Sequence, residues 1–162
     1  NNVLFMLKYH PYVKDIPDNL PEHCIFCPHW ADAYPLLRFT DILLTDYSSV
    51  YFDYLLLNRP IHYFVPDKEE YEQKDRKFML NFDDWTPGTK SHSQKDCFTH
   101  LKQIIANNMD DGMETARIKI RDILFKHHDD QAAARCCRFL EECSSTAGVS
   151  LRQEETHETP FG

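Results

Sequence analysis

Apolar residues in this chain fall into short unbroken runs separated by longer stretches of mixed polarity. Val3 to Lys8 is the first run, and its lack of alternation predicts a strand covered on both faces. "YHPYVKDIPDNLPEH" follows, and its three prolines mark a loop. "CIFC" reads as a second short strand. "ADAYPLLRFT" reads as a short helix with Pro35 near its first turn. "DILLTD" predicts a third strand, "SSVYFDYLLLN" a buried helix, and "PIHYFVP" a fourth strand bounded by prolines. "DKEEYEQKDRKFML" holds one helical stretch, and "NFDDWTPGTKSHS" reads as a loop turning at Pro87-Gly88. Three helical patterns complete the chain. Leu101, Ile104 and Ile105 form one apolar stripe. Ile118, Ile120, Ile123, Leu124 and Phe125 mark a second, and Cys136, Phe139 and Leu140 a third, within "DDQAAARCCRFLEEC". Periodicity ends at Ser144, which predicts a domain over 1–143 and a flexible tail over 144–162.

Short apolar strands alternating with helices predict an α/β fold: a parallel sheet with helices on both faces. Right-handed crossovers bring all strand C-terminal ends to one edge, and ligands of such sheets bind in the crevice beyond it. The segments that follow strands are "HP", "CPHW", "TDYSS" and "FVPDKEEY". A chain that opens directly on a core strand is expected to be part of a longer protein, with part of a site in the piece before it.

Composition narrows the function classes. The formal net charge is −8, which leaves no basic footprint for nucleic acid. No apolar run approaches the ~20 residues of a membrane span. Cys24 and Cys27 form a lone CxxC, and Cys97, Cys136, Cys137 and Cys143 offer no second pair at zinc-like spacing. The cysteines therefore read as reduced and buried, and no metal site is expected.

The chemistry concentrates at "TDYSS". The strand ends near Thr45 and the helix begins near Ser48, where free amides and the helix dipole favour an anion. Serine leaves room there and adds hydroxyl donors. Asp46 or Ser48 can equally cap those amides, so capping and phosphate binding both remain open on spacing alone. No glycine-rich phosphate loop is present. Asp53 falls between Leu56 and Leu57 on the helical wheel and needs a partner such as an Arg, a Tyr hydroxyl or backbone amides. A structural hydrogen bond accounts for it better than catalysis. His10 ends "KYHP", after the first strand, where an imidazole can serve as acid, base or phosphate donor, or simply hold a loop. Lys8 adds positive charge beside it. His29 is a weaker candidate. His127 and His128 fall near a helix end, and Asp129 and Asp130 at the next helix start, positions that fit structure without function.

The run "DAYPLLRFTDILLTDYSSVYFDYLLLNRPIHYF" closely resembles the signature of the CDP-glycerol glycerophosphotransferase family, the teichoic-acid primases and polymerases. "KYHP" resembles the family's Lys-x-His-Pro, "EEYEQKDRKFMLNFDDWTPG" its Glu-Glu-Tyr segment and later Pro-Gly, and "HDDQAAAR" its late Asp-Gly-x-x-x-x-Arg segment, with Arg135 at the Arg. The resemblance extends from Leu4 to about Leu140. It implies the C-terminal, donor-nucleotide half of a GT-B fold, a Rossmann-like domain facing an N-terminal domain of the same protein. It further implies transfer of glycerol phosphate, or another polyol phosphate such as ribitol phosphate, from a CDP-activated donor to a lipid-linked or polymer acceptor. The setting implied is cytoplasmic and peripheral, at the inner face of the cell membrane. In that reading His10 is catalytic, and Lys8, Thr45, Asp46, Ser48, Ser49 and Arg135 bind the donor phosphates or nucleotide, with no cofactor beyond the CDP-polyol substrate. Two departures stand out. The family's His-Gly motif, which belongs to its N-terminal half, does not occur here, so this piece alone is expected to be inactive. The late Asp-Gly is Asp129-Asp130, with alanines before Arg135. The competing readings are another GT-B glycosyltransferase using a nucleotide sugar, and a non-catalytic module that keeps the fold.

Overall fold

The computed structural model describes residues 3–9, 13, 19–28, 30–74 and 80–146. It divides into two compact units, Asn1–Leu124 and Phe125–Gly162. In the first unit the strands β1 (Phe5–Leu7), β2 (Cys24–Phe26), β3 (Leu43–Thr45), β4 (Ile61–Phe64) and β5 (Thr89–Ser91) are interleaved with six helices. These are α1 (Tyr34–Leu37), α2 (Val50–Tyr54), α3 (Lys68–Lys74), α4 (Phe82–Trp85), α5 (Gln94–Ala106) and α6 (Glu114–Leu124). The second unit carries α7 (Ala132–Thr146).

All strand pairings among the described residues are parallel, as the α/β reading requires. They form two sheets rather than one: β1 beside β2, and β3-β4-β5 with β4 in the centre. The register of the larger sheet aligns Leu43 with Ile61 and His62 with Thr89. Both faces of β4 are covered, since Ile61, His62 and Tyr63 are all fully buried. On β1 the predicted two-sided burial does not hold: Leu4 and Phe5 stay exposed, as does Ile25 on β2. Full coverage belongs to the central strand, which has a neighbour on each side and α5 packed against it.

Tyr51, Tyr54, Leu55, Ile61, Tyr63, Val65, Phe82 and Ile120 form the core. The helix α2 supplies two of them, Tyr51 and Tyr54, and passes directly into a 3-10 turn, Leu55–Leu57, which adds Leu55. That turn stops at Asn58, whose φ of 50° is the left-handed conformation that asparagine tolerates. Leu56 points outward, so the helix is not buried all round.

Two elements were not legible in "NFDDWTPGTKSHS". Asn81 caps α4 by accepting from the amides of Asp83 and Asp84, and Thr89–Ser91 pairs with β4 as β5. "TKS" is polar and too short to show alternation, so only its partner strand makes it a strand. Ser93 then caps α5, accepting from the Asp96 amide while donating to its carboxylate at 2.6 Å. The third C-terminal helix runs to Thr146, three residues past the expected end at Cys143. Cys136, Cys137 and Cys143 lie exposed on it, against the expectation of buried cysteines, while Cys97 is buried and Cys24 and Cys27 half-buried.

Candidate functional site

The three parallel strands of the larger sheet end together, at Thr45, Phe64 and Ser91. The loops leaving that edge are Asp46–Ser49, Val65–Asp67 and His92–Ser93. Nδ1 of His92 lies 2.8 Å from the Val65 carbonyl, which only accepts, so the ring N–H donates and ties two of these loops together.

Asp46, Ser48 and Ser49 stand together on the loop that follows Thr45, as the sequence predicts. Thr45 is half-buried at the end of β3, opposite Tyr63. Asp46 Oδ1 accepts from the Ser48 amide at 2.9 Å, a turn that precedes the helix. The helix N-cap is Ser49, rather than Asp46 or Ser48, and no side chain bonds to the helix from that position. Ser48 Oγ sits 3.5 Å from the Val50 amide, at the outer limit of a hydrogen bond. The carboxylate has therefore taken one amide ahead of the helix, and both serines keep exposed side chains.

The loop is fastened through Tyr47, which the sequence reading passed over. Its hydroxyl donates to Asp67 Oδ1 at 2.9 Å. Its ring stacks on Tyr71 at 4.0 Å and 18°, and meets Phe82 at 5.7 Å. Burial, then the Asp67 carboxylate, push its phenol well above the ordinary value. Lys68 lies 2.6 Å from Asp83 and over the Phe82 ring, and its hydrogen bond holds the Asp83 carboxyl below the usual carboxylate range. Lys90 donates to the Thr86 carbonyl at 3.0 Å, and burial pushes its ammonium down. Asp67, Lys68 and Tyr71 all fall in "FVPDKEEY", one of the segments that strand topology assigns to this edge.

The remaining candidates stand elsewhere. Lys8 follows β1 and donates to the Pro28 and Ala31 carbonyls, 2.7 Å each, bracing the loop after β2. His10 and His29 lie outside the described residues. Arg135 belongs to the second unit, where Nη1 meets both Asp129 oxygens at 2.7 and 3.0 Å. That contact, with the Gln131 amide, holds the Asp129 carboxyl below its usual range. The nearby Asp53 charge, then burial, push the Tyr34 phenol up, which sets Asp53 of α2 beside α1. No helix among the described residues is long and apolar enough to cross a membrane.

Comparison with known proteins gives the family and the fold. A family model described as CDP-Glycerol:Poly(glycerophosphate) glycerophosphotransferase matches residues 1–142. The teichoic acid ribitol-phosphate primase of Bacillus spizizenii is 33% identical over 139 residues, covering 83% of this chain and 33% of the relative. The teichoic acid poly(glycerol phosphate) polymerase of Bacillus subtilis is 40% identical over 75 residues, 46% of this chain and 10% of that protein. A solved structure of the wall teichoic acid polymerase TagF superposes with a TM-score of 0.62 at 24% identity, covering 91% of this chain and 36% of the other, and so shares the fold. The chain thus spans about a third or less of the length of these proteins. With the family model matching residues 1–142, a range that contains the serine loop, Tyr47 and Tyr71, this chain belongs to the CDP-glycerol:poly(glycerophosphate) glycerophosphotransferase family.

Proposed function

We propose that this chain is the donor-binding part of a transferase that moves a polyol phosphate from a CDP-activated polyol to a lipid-linked or polymer acceptor. The observation that carries the reading is the family match across residues 1–142, which contains the whole serine loop. Ser48 and Ser49 present hydroxyls to the donor diphosphate at the C-terminal edge of the sheet. Thr45 and Asp46 shape the loop, and Asp46 acts through the Ser48 amide because a bare carboxylate would repel a phosphate. Lys8 adds positive charge for the donor phosphates, while Arg135, expected from the sequence to do the same, is paired with Asp129 in the second unit, and the rest of a longer protein completes the site.

The reaction is a displacement at the β-phosphorus. The acceptor oxygen forms a bond to that phosphorus, and the bond to the bridging oxygen breaks, releasing CMP. In this reading His10 takes the acceptor proton, and the hydroxyls stabilise the charge that grows on the phosphate oxygens. Such a step asks for no redox group, and its acceptor places the protein against the inner face of the cell membrane.

Calorimetric titration tests the donor class. CDP-glycerol or CDP-ribitol is expected to bind, and UDP-sugars to bind far more weakly. Preference for a UDP-sugar would instead mark a nucleotide-sugar glycosyltransferase and end this proposal.

A further inference from the structure

We propose that Tyr47 is the positioning residue of the serine loop, tying Ser48 and Ser49 to the first turn of α3 so that they meet the donor diphosphate in one fixed geometry; this rests on the donor-binding role given to those serines above. Beyond the Asp46 carboxylate on the Ser48 amide, the loop has little of its own to hold it. Its helix carries no side-chain cap, and the Ser48 contact to Val50 is long. Tyr47 supplies the missing anchor twice over, by its hydroxyl on Asp67 and by its ring on Tyr71. Both partners belong to one turn, since the Tyr71 amide donates to the Asp67 carbonyl at 2.9 Å. The serine loop and the start of α3 are therefore one body at the crevice edge. A hydroxyl pre-oriented in this way meets a phosphate without a further ordering cost, which is where affinity is gained.

The ring and the hydroxyl have separable duties. The ring packs beside Phe82 and the core, and phenylalanine keeps that packing. The hydroxyl bond to Asp67 is what sets the loop's position. Burial and the carboxylate keep the phenol protonated, so the bond persists at neutral pH and above.

The test compares CDP and cytidine binding by calorimetry in the protein and its variants. Tyr47→Phe is expected to weaken CDP roughly tenfold, because the loop must then be ordered on binding, while leaving cytidine binding nearly unchanged and lowering the melting temperature only modestly. Asp67→Ala should behave like Tyr47→Phe, and Asp67→Asn, which keeps an acceptor oxygen, should recover most of the affinity. Equal losses for CDP and cytidine would mean a merely structural role and overturn the inference. So would a Tyr47→Phe protein with full CDP affinity when Ser48→Ala/Ser49→Ala has lost it, an outcome that leaves the donor-binding reading standing. If the serine variant also keeps full affinity, the donor-binding reading fails and this inference with it. Should Tyr47→Phe not fold, the Asp67 pair decides: indistinguishable affinities for Ala and Asn overturn the proposal.

Discussion

His62 and Ser91 meet inside the sheet, with the imidazole Nε2 2.8 Å from the serine Oγ and Nδ1 held 2.6 Å from Thr89 on the other side. The ring is fully buried. Burial first, and nearby His100 second, push it down from 6.5 to about 4. The neutral ring is thus the one the folded protein accepts. Because the unfolded chain binds that proton more readily, stability is complete above about pH 6.5 and declines as the pH falls toward 4. Urea unfolding midpoints at pH 7 and pH 5 are expected to show this decline, and His62→Asn should flatten it. An equal slope in both proteins would assign the pH dependence to other groups.

Gly88 sits where β4 and the chain entering β5 nearly touch. A Cβ there would lie 2.2 Å from the Ile61 carbonyl oxygen and 2.9 Å from the Tyr63 ring. The nearer obstacle is backbone in the central strand and cannot turn aside. Gly88→Ala is therefore expected to cost roughly 1–3 kcal/mol or more, as overpacking does, measured by denaturant unfolding. A loss below a few tenths of that would show that β4 and β5 separate easily.

Arg117 and Asp111 form an ion pair 2.5 Å apart, with side chains 4% and 0% exposed. Breaking such a pair leaves one buried charge uncompensated, which typically costs about 3–5 kcal/mol. Asp111→Ala should be destabilised on that scale, while Asp111→Ala combined with Arg117→Met should recover much of the loss. If the double variant is no better than the single, the cost arises from packing rather than charge.

Ser48 and Ser49 are exposed, so their hydroxyls can be removed with little effect on the core. Ser48→Ala with Ser49→Ala should stay within about 0.5 kcal/mol of the parent in stability and bind CDP roughly tenfold or more weakly. Melting and calorimetry on the same samples separate the two effects. Unchanged CDP affinity would remove the phosphate role.

His10→Ala addresses the chemical step. In an active form of the protein it should reduce turnover by about 100-fold or more, the usual contribution of a general base, with a much smaller change in donor binding. Full turnover would remove His10 from catalysis.

Most of the fold was legible because its strands are apolar runs and its longer helices carry stripes. "DILLTD" and "PIHYFVP" became β3 and β4, and the stripe at Leu101, Ile104 and Ile105 became α5. β5 was hidden because Thr89, Lys90 and Ser91 have no pattern of their own; their place is set by hydrogen bonds to residues 27 positions away. The serine loop was found by local chemistry, a strand end followed by hydroxyls. Tyr47 was missed because its role depends on Asp67 and Tyr71, twenty and more residues later, and nothing local distinguishes it from another core aromatic.

By itself the sequence determined the α/β class, the parallel order implied by alternating elements and the family, and it named the loop proposed to meet an anion. Those properties depend on periodicity and on neighbours along the chain. The tertiary structure alone decided that Asp53 sits near Tyr34, that Lys8 braces a loop, and that Tyr47 locks to the start of α3. Each of these is a contact between segments far apart in sequence, and such contacts exist only once the backbone has closed the loops between them.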